Sequence, residues 1–276
     1  MTGITRALNR ATETLSITSD TARLDAELLM AAALGIGRDR LLLDMPKGDA
    51  PPAFDDMVAR RAAGEPVAYI TGQRAFWTID LEVGPGALIP RPDSETLIAA
   101  AVEYFTGTAG PKRILDLGTG PGTLLLAALD EWPRATGVGI DASEEAMIYA
   151  RRNAERLGLS GRAEFRIGDW GAGIDEQFDL ILCNPPYVAT DAETGPGVRE
   201  YEPEAALFAG DDGLDDYRRL APQLGRLIAP GGLAVIEIGH DQGESAAAVF
   251  RQQGLESILA NDLGGRPRVL KFKAGR

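Results

Sequence analysis

The N-terminal third of the chain carries helical hydrophobic patterning and shows no strand pattern. Leu24, Leu28 and the Ala31–Ala32 pair recur at helical spacing on one face, and Gly35 should end that helix. Proline is favoured at the first turn of a helix, so a second helix should begin at the next proline pair. Two helices are predicted in this way, over residues 21–34 and from Pro51-Pro52 through Arg60-Arg61 to near Gly64. The pattern predicts a small helical domain over residues 1–75.

The patterning then changes to alternating residues and afterwards to alternating strands and helices. Arg74–Ile79 and Leu81–Ile89 alternate around Asp80, which predicts a β-hairpin linker over residues 76–92. From Asp93 onward, apolar strand segments alternate with helical segments, the signature of a parallel sheet with crossover helices. Strands are expected at residues 113–117, 135–140, 163–167, 178–183, 233–238 and 268–273. The sequence therefore predicts an α/β, Rossmann-like domain over residues 93–276.

A glycine-rich loop follows the first of these strands. The segment is Gly118-Thr119-Gly120-Pro121-Gly122, with Thr123 where a dinucleotide-binding loop would have its last glycine. Glycines let the backbone turn sharply and come close to a ligand. No phosphate-binding lysine follows Gly122, so a ligand without a polyphosphate is expected.

Two further strand ends carry groups suited to a nucleoside. Asp141 lies at the distance along the chain at which a carboxylate meets ribose hydroxyls. Asp169 could accept a hydrogen bond from an adenine amine, and Trp170 could pack on the base. The strand ends at residues 118, 141, 169 and 184 should form one rim of the sheet. A nucleoside such as S-adenosylmethionine explains all four together.

The fourth strand ends in the tetrapeptide Asn184-Pro185-Pro186-Tyr187. A residue before proline is held extended, and proline fixes φ, so this backbone is largely set before a ligand arrives. The Asn184 amide oxygen and the Pro185 carbonyl can accept hydrogen bonds, and Tyr187 offers a flat face. Two acceptors and an aromatic plate suit a planar –NH2 group, either a carboxamide or the exocyclic amine of a base.

Composition limits the other classes of function. The chain has 276 residues and a net charge of −13, of which residues 1–75 carry −1 and the remainder −12. Strong acidity repels phosphate backbones, which disfavours direct nucleic-acid binding. The single Cys183 should be a buried thiol and the single His240 should lie in a solvated loop, so no triad or metal site is expected. No membrane segment is expected, and a lone cysteine suits a cytoplasmic location.

With these motifs in view, the chain resembles the protein-(glutamine-N5) methyltransferases that modify the Gly-Gly-Gln motif of peptide chain release factors, the PrmC/HemK family. The resemblance spans nearly the whole chain, with Pro121 and Pro267 as departures from the pattern. It rests on residues 64–72 (GEPVAYITG), 76–77 (FW), 88–93 (LIPRPD), 201–203 (YEP), 212–215 (DGLD), 230–232 (PGG) and 237–239 (EIG), besides the two loops.

The resemblance implies a seven-stranded class I methyltransferase sheet with an antiparallel final pair, and S-adenosylmethionine as cofactor. Release factors are the implied protein partner. The expected catalytic residues are Asn184, Pro185 and Tyr187, and the substrate amide should contact Asn184, Pro185, Pro186 and Tyr187. The expected cofactor residues are Gly118, Thr119, Gly120, Pro121, Gly122, Asp141, Asp169, Trp170 and Asn184.

Three other functions compete with this interpretation. NPPY serves nucleic-acid amino-methyltransferases equally well, although the chain shows no basic patch for nucleic acid. A sister class methylates glutamine in a ribosomal protein and differs mainly in its N-terminal sequence. A non-catalytic factor could bind translation partners through the helical domain, but the intact NPPY and glycine loops disfavour it.

Overall fold

A computed structural model describes residues 3–44 and 46–274 of the chain. The outer limits of the predicted first and last domains lie outside these residues. Contacts within the chain divide it into two units, residues 1–73 with 194–201 and residues 74–193 with 202–276. The predicted boundaries at residues 75 and 92 stay predictions.

The N-terminal unit is helical. Its core contains Leu8, Leu29, Met30 and Phe54, all fully buried. The helices are α1 Gly3–Leu15, α2 Ala22–Leu34, α3 Arg38–Asp44, α4 Ala53–Ala62 and α5 Val67–Thr71, joined by the later turn α9 Val198–Tyr201.

The predicted face of α2 is wrong at Leu24 and right at the buried Ala31, and the helix and its end at Gly35 are confirmed. Leu24 is exposed, and the buried stripe contains Ala22, Ala26, Leu29 and Met30. Hydrophobic patterning missed this stripe because it includes Asp25, a buried carboxylate that forms an ion pair with Arg61 (2.7 Å). A paired charge can occupy a core-facing position that hydrophobic patterning assigns to solvent.

The hairpin is shorter than predicted, and its turn lies at Trp77-Thr78 and not at Asp80. Its strands are β1 Gln73–Phe76 and β2 Ile79–Glu82, and the predicted strand to Ile89 does not extend past Glu82. Trp77 has a φ of 52°, which is unusual for a bulky residue. Its backbone N–H donates to Glu95 (2.9 Å) and its indole to Glu131 (3.1 Å). Distant side chains hold this turn, so local turn chemistry could not place it.

The second unit is a seven-stranded sheet with helices packed against it. Its strands are β3 Arg113–Leu117, β4 Thr136–Asp141, β5 Ala163–Ile167, β6 Phe178–Cys183, β7 Ile228–Glu237, β8 Ser257–Asn261 and β9 Pro267–Lys273. Its helices are α6 Glu95–Phe105, α7 Thr123–Glu131, α8 Glu144–Arg156, α10 Asp215–Leu227 and α11 Gly243–Arg251. The spatial order of strands is β5-β4-β3-β6-β7-β9-β8.

The first five strands in that order are parallel, and β9 runs antiparallel to both β7 and β8. This confirms the antiparallel final pair. Hydrophobic patterning did not locate β8, since Ile258 and Leu259 are about half exposed on an edge strand. β7 begins at Ile228, before Pro230-Gly231-Gly232, so the chain enters this strand earlier than predicted.

One buried side chain ties β2 and the glycine loop to helix α8. Asn153 is fully buried, and its oxygen accepts from the Glu82 backbone N–H (2.6 Å). Its nitrogen donates to the Glu82 and Pro121 carbonyls, both at 3.0 Å. Asn153 therefore fixes the carbonyl of Pro121 in the glycine loop.

Replacing Asn153 with alanine should destabilise the protein strongly. The change leaves one N–H and two carbonyls without partners, and each buried unsatisfied group costs about 1–3 kcal/mol. Neighbouring Arg152, whose side chain is 58% exposed in its ion pair with Glu82, is the matched control. Urea unfolding should show a loss of at least ~1–3 kcal/mol for Asn153→Ala and less than ~1 kcal/mol for Arg152→Ala. Equal losses would refute the tethering role.

Candidate active site

The candidate site lies where the strand order reverses direction. The chain passes outward from β3 to β4 and β5, then returns to β6 on the other side of β3. Open α/β sheets bind ligands at such a switch point, beyond the carboxyl ends of the strands. Leu117 pairs with Cys183 and also with Ile140. The residues that follow these strands are therefore neighbours at one edge.

A cavity of about 550 Å³ opens at this edge. Its lining residues all belong to the second unit. The lining includes most of the site residues predicted from the sequence: Gly118, Thr119, Gly120, Pro121, Asp141, Asp169, Trp170, Asn184 and Pro186. Pro185 and Tyr187 instead line a small adjoining cavity of about 40 Å³, together with Asn184, Leu88 and Arg91. We call this second space the acceptor pocket.

Gly122 does not line either cavity. It has a φ of +87° at the start of α7, and an added Cβ there would lie 2.8 Å from Leu126. This glycine is required for packing of the helix. Its predicted contact with a cofactor stays a prediction.

The other two glycines shape the loop itself. Gly118 and Gly120 have φ values of +71° and +55°, a region that residues with a Cβ rarely adopt. A Cβ on Gly118 would lie 3.2 Å from the Trp170 ring, so the loop and the indole approach each other closely. Trp170 has a φ of 51° and packs against the hydrophobic core of the second unit.

Two carboxylates hold the glycine loop by hydrogen bonds. Asp141 accepts hydrogen bonds from the Gly120 N–H (2.7 Å) and the Ser143 N–H (2.8 Å). Asp116 is fully buried and accepts from the Thr119 hydroxyl (2.6 Å) and the Leu125 N–H (3.1 Å). Its other oxygen, Oδ1, is buried without a hydrogen-bond partner among the described residues.

Burial raises the pKa of Asp116 to about 7, and the nearby Asp141 acts in the same direction, while hydrogen bonds from Thr119 and Leu125 oppose the shift. A buried carboxylate is unfavourable unless a positive charge or further donors compensate it. A nearby positive charge would favour the ionised form of this carboxyl group.

Asp169 has a partner that the sequence did not reveal. Its carboxylate, 63% exposed, forms an ion pair with Arg219 at 2.7 Å. Arg219 also contacts Asp216 at 2.9 Å, and Asp216 in turn accepts a hydrogen bond from the Trp170 side chain. Burial raises the pKa of Asp216. Asp216 and Arg219 both line the large cavity, and no sequence motif pointed to either.

The Asn184 amide is oriented by a serine. Its nitrogen, Nδ2, donates to the Ser94 hydroxyl oxygen at 3.0 Å. Within the described parts of the chain, its oxygen Oδ1 accepts no hydrogen bond, so it is available to a ligand. Tyr187 donates its hydroxyl to Glu237 at 3.1 Å, and burial raises the pKa of Tyr187 well above its usual range.

The LIPRPD segment is fixed beside the acceptor pocket by ion pairs. Glu202, 1% exposed at its side chain, pairs with Arg91 at 2.5 Å and accepts from the Ile89 N–H at 3.1 Å. Asp93 pairs with Arg268 at 2.9 Å. These contacts give Arg91 and Asp93 a structural role that the sequence did not assign.

Two families match the chain. A methyltransferase-domain family matches residues 110–245, and a family described as the PrmC N-terminal domain matches residues 6–72. A release factor glutamine methyltransferase from Caulobacter vibrioides is 40% identical over 258 residues, covering 91% of this chain and 89% of that protein. Another, from Rhodospirillum rubrum, is 42% identical over 272 residues, covering 96% of this chain and 83% of that protein. The chain belongs to the release factor glutamine methyltransferase family.

A solved structure shows the same fold. A methyltransferase from Pyrococcus furiosus superimposes with a TM-score of 0.54 at 19% identity, covering 80% of this chain and 100% of that one. The comparisons confirm the predicted family, the Rossmann-like fold class and an S-adenosylmethionine-dependent methyltransferase. In residues 3–44 and 46–274, no helix is both long and apolar enough to cross a membrane. The same residues contain no cluster of three or more potential metal ligands.

Proposed function

We propose that this protein methylates the side-chain amide nitrogen, N5, of the glutamine in the Gly-Gly-Gln motif of peptide chain release factors. The observation that carries the proposal is the orientation of Asn184. Its nitrogen is occupied by Ser94, and its oxygen is left free where the large cavity and the acceptor pocket meet. Family membership supports the substrate class, since the relatives are named release factor glutamine methyltransferases.

The large cavity fits S-adenosylmethionine. When bound, this cofactor supplies a methyl group on a positively charged sulfonium. The carboxylate of Asp141 lines the cavity and makes its glycine-loop side electronegative. We assign cofactor contacts to Gly118, Thr119, Gly120, Pro121 and Asp141 on that side. Asp169 and Trp170 would meet the base, with Asn184 between cofactor and substrate.

The acceptor pocket fits a carboxamide. An amide nitrogen is a weak nucleophile because its lone pair is delocalised into the carbonyl. Asn184 Oδ1 and the Pro185 carbonyl can accept both N–H hydrogens, and these acceptors favour the positive charge that develops on nitrogen as it is alkylated. Pro186 and Tyr187 complete the wall beside the substrate, and holding the reacting atoms in line supplies further rate. No strong base is required, because an N-alkylated amide loses its proton readily.

The same arrangement suits the exocyclic amine of a base, so the choice of substrate rests on charge and on the N-terminal family match. The net charge of −12 over residues 76–276 repels a phosphate backbone. We infer that the protein acts in the cytoplasm on a protein partner, without direct contact with nucleic acid or membrane.

Purified protein should methylate a folded release factor on the Gly-Gly-Gln glutamine and leave tRNA, rRNA and duplex DNA unmethylated. The measurement is incubation with labelled S-adenosylmethionine, followed by peptide mass spectrometry of the labelled product. A release factor whose glutamine is replaced by asparagine is the control and should stay unlabelled. Labelled nucleic acid beside an unlabelled release factor would overturn the proposal.

We further propose that the N-terminal helical domain, predicted over residues 1–75, grips the protein substrate. It carries none of the cofactor motifs, and it presents Ile17 and Leu43 with side chains 85% and 84% exposed. Burying an exposed apolar side chain against a protein partner is favourable because it removes apolar surface from water. The hairpin linker, predicted over residues 76–92, would join this domain to the methyltransferase domain, predicted over residues 93–276.

Substituting both exposed residues should weaken substrate capture alone. In Ile17→Ser/Leu43→Ser, we expect KM for the release factor to rise by roughly tenfold, a loss of about 1.4 kcal/mol, with cofactor affinity unchanged. Leu263→Ser, which removes a fully exposed leucine from the methyltransferase unit, is the matched control. Steady-state kinetics distinguish the two variants. An unchanged KM in the double variant would refute this docking role.

A further inference from the structure

The buried carboxylate of Glu237 contacts the last residue of the NPPY tetrapeptide, and the proposed chemistry does not use it. Glu237 ends strand β7 and is fully buried, and its Oε1 accepts the Tyr187 hydroxyl at 3.1 Å. Its Oε2 is buried and has no hydrogen-bond partner among the described residues. Of the neighbouring groups, the Ser94 hydroxyl lowers the pKa of this carboxyl group most, as a hydrogen-bond donor to it would.

Ser94 connects this carboxylate to the active-site amide. Its side chain is 2% exposed, and its oxygen accepts from Asn184 Nδ2 at 3.0 Å. Ionised Glu237 can only accept hydrogen bonds, so the Ser94 hydroxyl proton must point toward it. Only the lone pairs of Ser94 then face Asn184, which must present its NH2 group to Ser94. The amide oxygen is thereby turned away from Ser94.

Reversing the direction of these hydrogen bonds would reverse the amide. If position 237 could donate, Ser94 could accept from it and donate to Asn184 Oδ1. Asn184 would then turn its NH2 group toward the substrate amide, and two donors would face each other. We propose that the Glu237 carboxylate, acting through the Ser94 hydroxyl, fixes Asn184 with its oxygen toward the acceptor pocket, which makes Glu237 and Ser94 positioning residues for methyl transfer.

The surroundings of Glu237 support this role over a purely structural ion pair. Arg268 approaches from β9, but it pairs at 2.9 Å with Asp93 and at 3.8 Å with Asp262. No ion pair between Arg268 and Glu237 lies within 4.0 Å among the described residues. Tyr187, which hydrogen-bonds the carboxylate, and Ser94, which lowers its pKa, both belong to the active-site edge.

Glu237 can change charge near neutral pH. Burial raises its pKa to about 7, while hydrogen bonds from Ser94 and Tyr187 and the charge of Arg268 oppose the shift and Asp93 adds to it. Cys183 on β6, Tyr187 after it and Tyr217 on α10 also face this region, and burial raises the pKa of each. Below about pH 7 the carboxyl group is protonated and can donate, so the orientation of Asn184 is no longer enforced.

The test rests on the proposed function and measures single-turnover methylation of a release factor together with cofactor affinity. Ser94→Ala and Glu237→Gln should each slow transfer by about tenfold or more, up to the roughly 10²–10³-fold that loss of one preorganised contact costs. Cofactor affinity should stay within about twofold of wild type, or ~0.4 kcal/mol. The Ser94→Ala/Glu237→Gln double variant should be no slower than the slower single variant, because both act through one amide. Ser94→Thr, which keeps the hydroxyl, should retain most of the rate.

Tyr217→Phe is the matched control. Tyr217 donates its hydroxyl to the Glu237 main-chain carbonyl at 3.1 Å, so this change removes a buried hydroxyl beside the same residue without touching its carboxylate. The rate of Tyr217→Phe should stay within about threefold of wild type, or ~0.7 kcal/mol. The wild-type rate should also fall as pH drops through about 7. Asp116 has a similar pKa, so the decisive quantity is the difference between the pH profiles of wild type and Glu237→Gln.

The outcomes distinguish the proposed action of Glu237 through Ser94 on Asn184, here called the relay, from the proposed methyltransferase function. A wild-type protein that does not methylate release factor contradicts the proposed function. If the wild type is active and Glu237→Gln methylates as fast as Tyr217→Phe, the relay is refuted. It is also refuted if the rate losses of the two single variants add in the double variant. Identical pH profiles for wild type and Glu237→Gln also refute it.

Discussion

The parallel pairing of β3 with β6 is the constraint on which the whole site depends. Leu117 lies opposite Cys183, so the glycine loop and the NPPY tetrapeptide leave the sheet side by side. A shift of one residue would move Asn184 along the edge and turn every side chain of β6 to the other face of the sheet. Both strands are buried, which fixes this register strongly. The positions of the proposed cofactor and acceptor sites therefore follow from the core of the fold.

Carboxylates, most of them buried, hold in place the segments that follow the strands. Asp116 and Asp141 hold the glycine loop, Glu202 holds the LIPRPD segment through Arg91, and Glu237 contacts Tyr187. A buried carboxylate is stable only with donors around it, so each one fixes the backbone amides and hydroxyls that it accepts from. Asp141, which lines the large cavity, also suits a positively charged cofactor.

Much of this arrangement could be predicted from the sequence. The parallel strands end where hydrophobic patterning and glycine or proline signals place them, and this located the glycine loop, Asp141 and Asn184. What could not be predicted depends on contacts between distant residues. The turn at Trp77 is held by Glu95 and Glu131, and Asp169 is paired with Arg219, fifty residues further along the chain. Ser94 contacts Asn184 across ninety residues, so no local motif could reveal it.

The central claim is that Asn184 acts in methyl transfer and Asp141 in cofactor binding. The most direct measurement pairs calorimetric titration of S-adenosylmethionine with single-turnover methylation of a release factor, for Asn184→Ala and Asp141→Ala. Asn184→Ala should bind cofactor within a few-fold of wild type and lose roughly 10²–10³ in rate. Asp141→Ala should lose cofactor affinity first, because its contacts are made before and during transfer alike. Near-normal turnover in a folded Asn184→Ala protein would contradict the account.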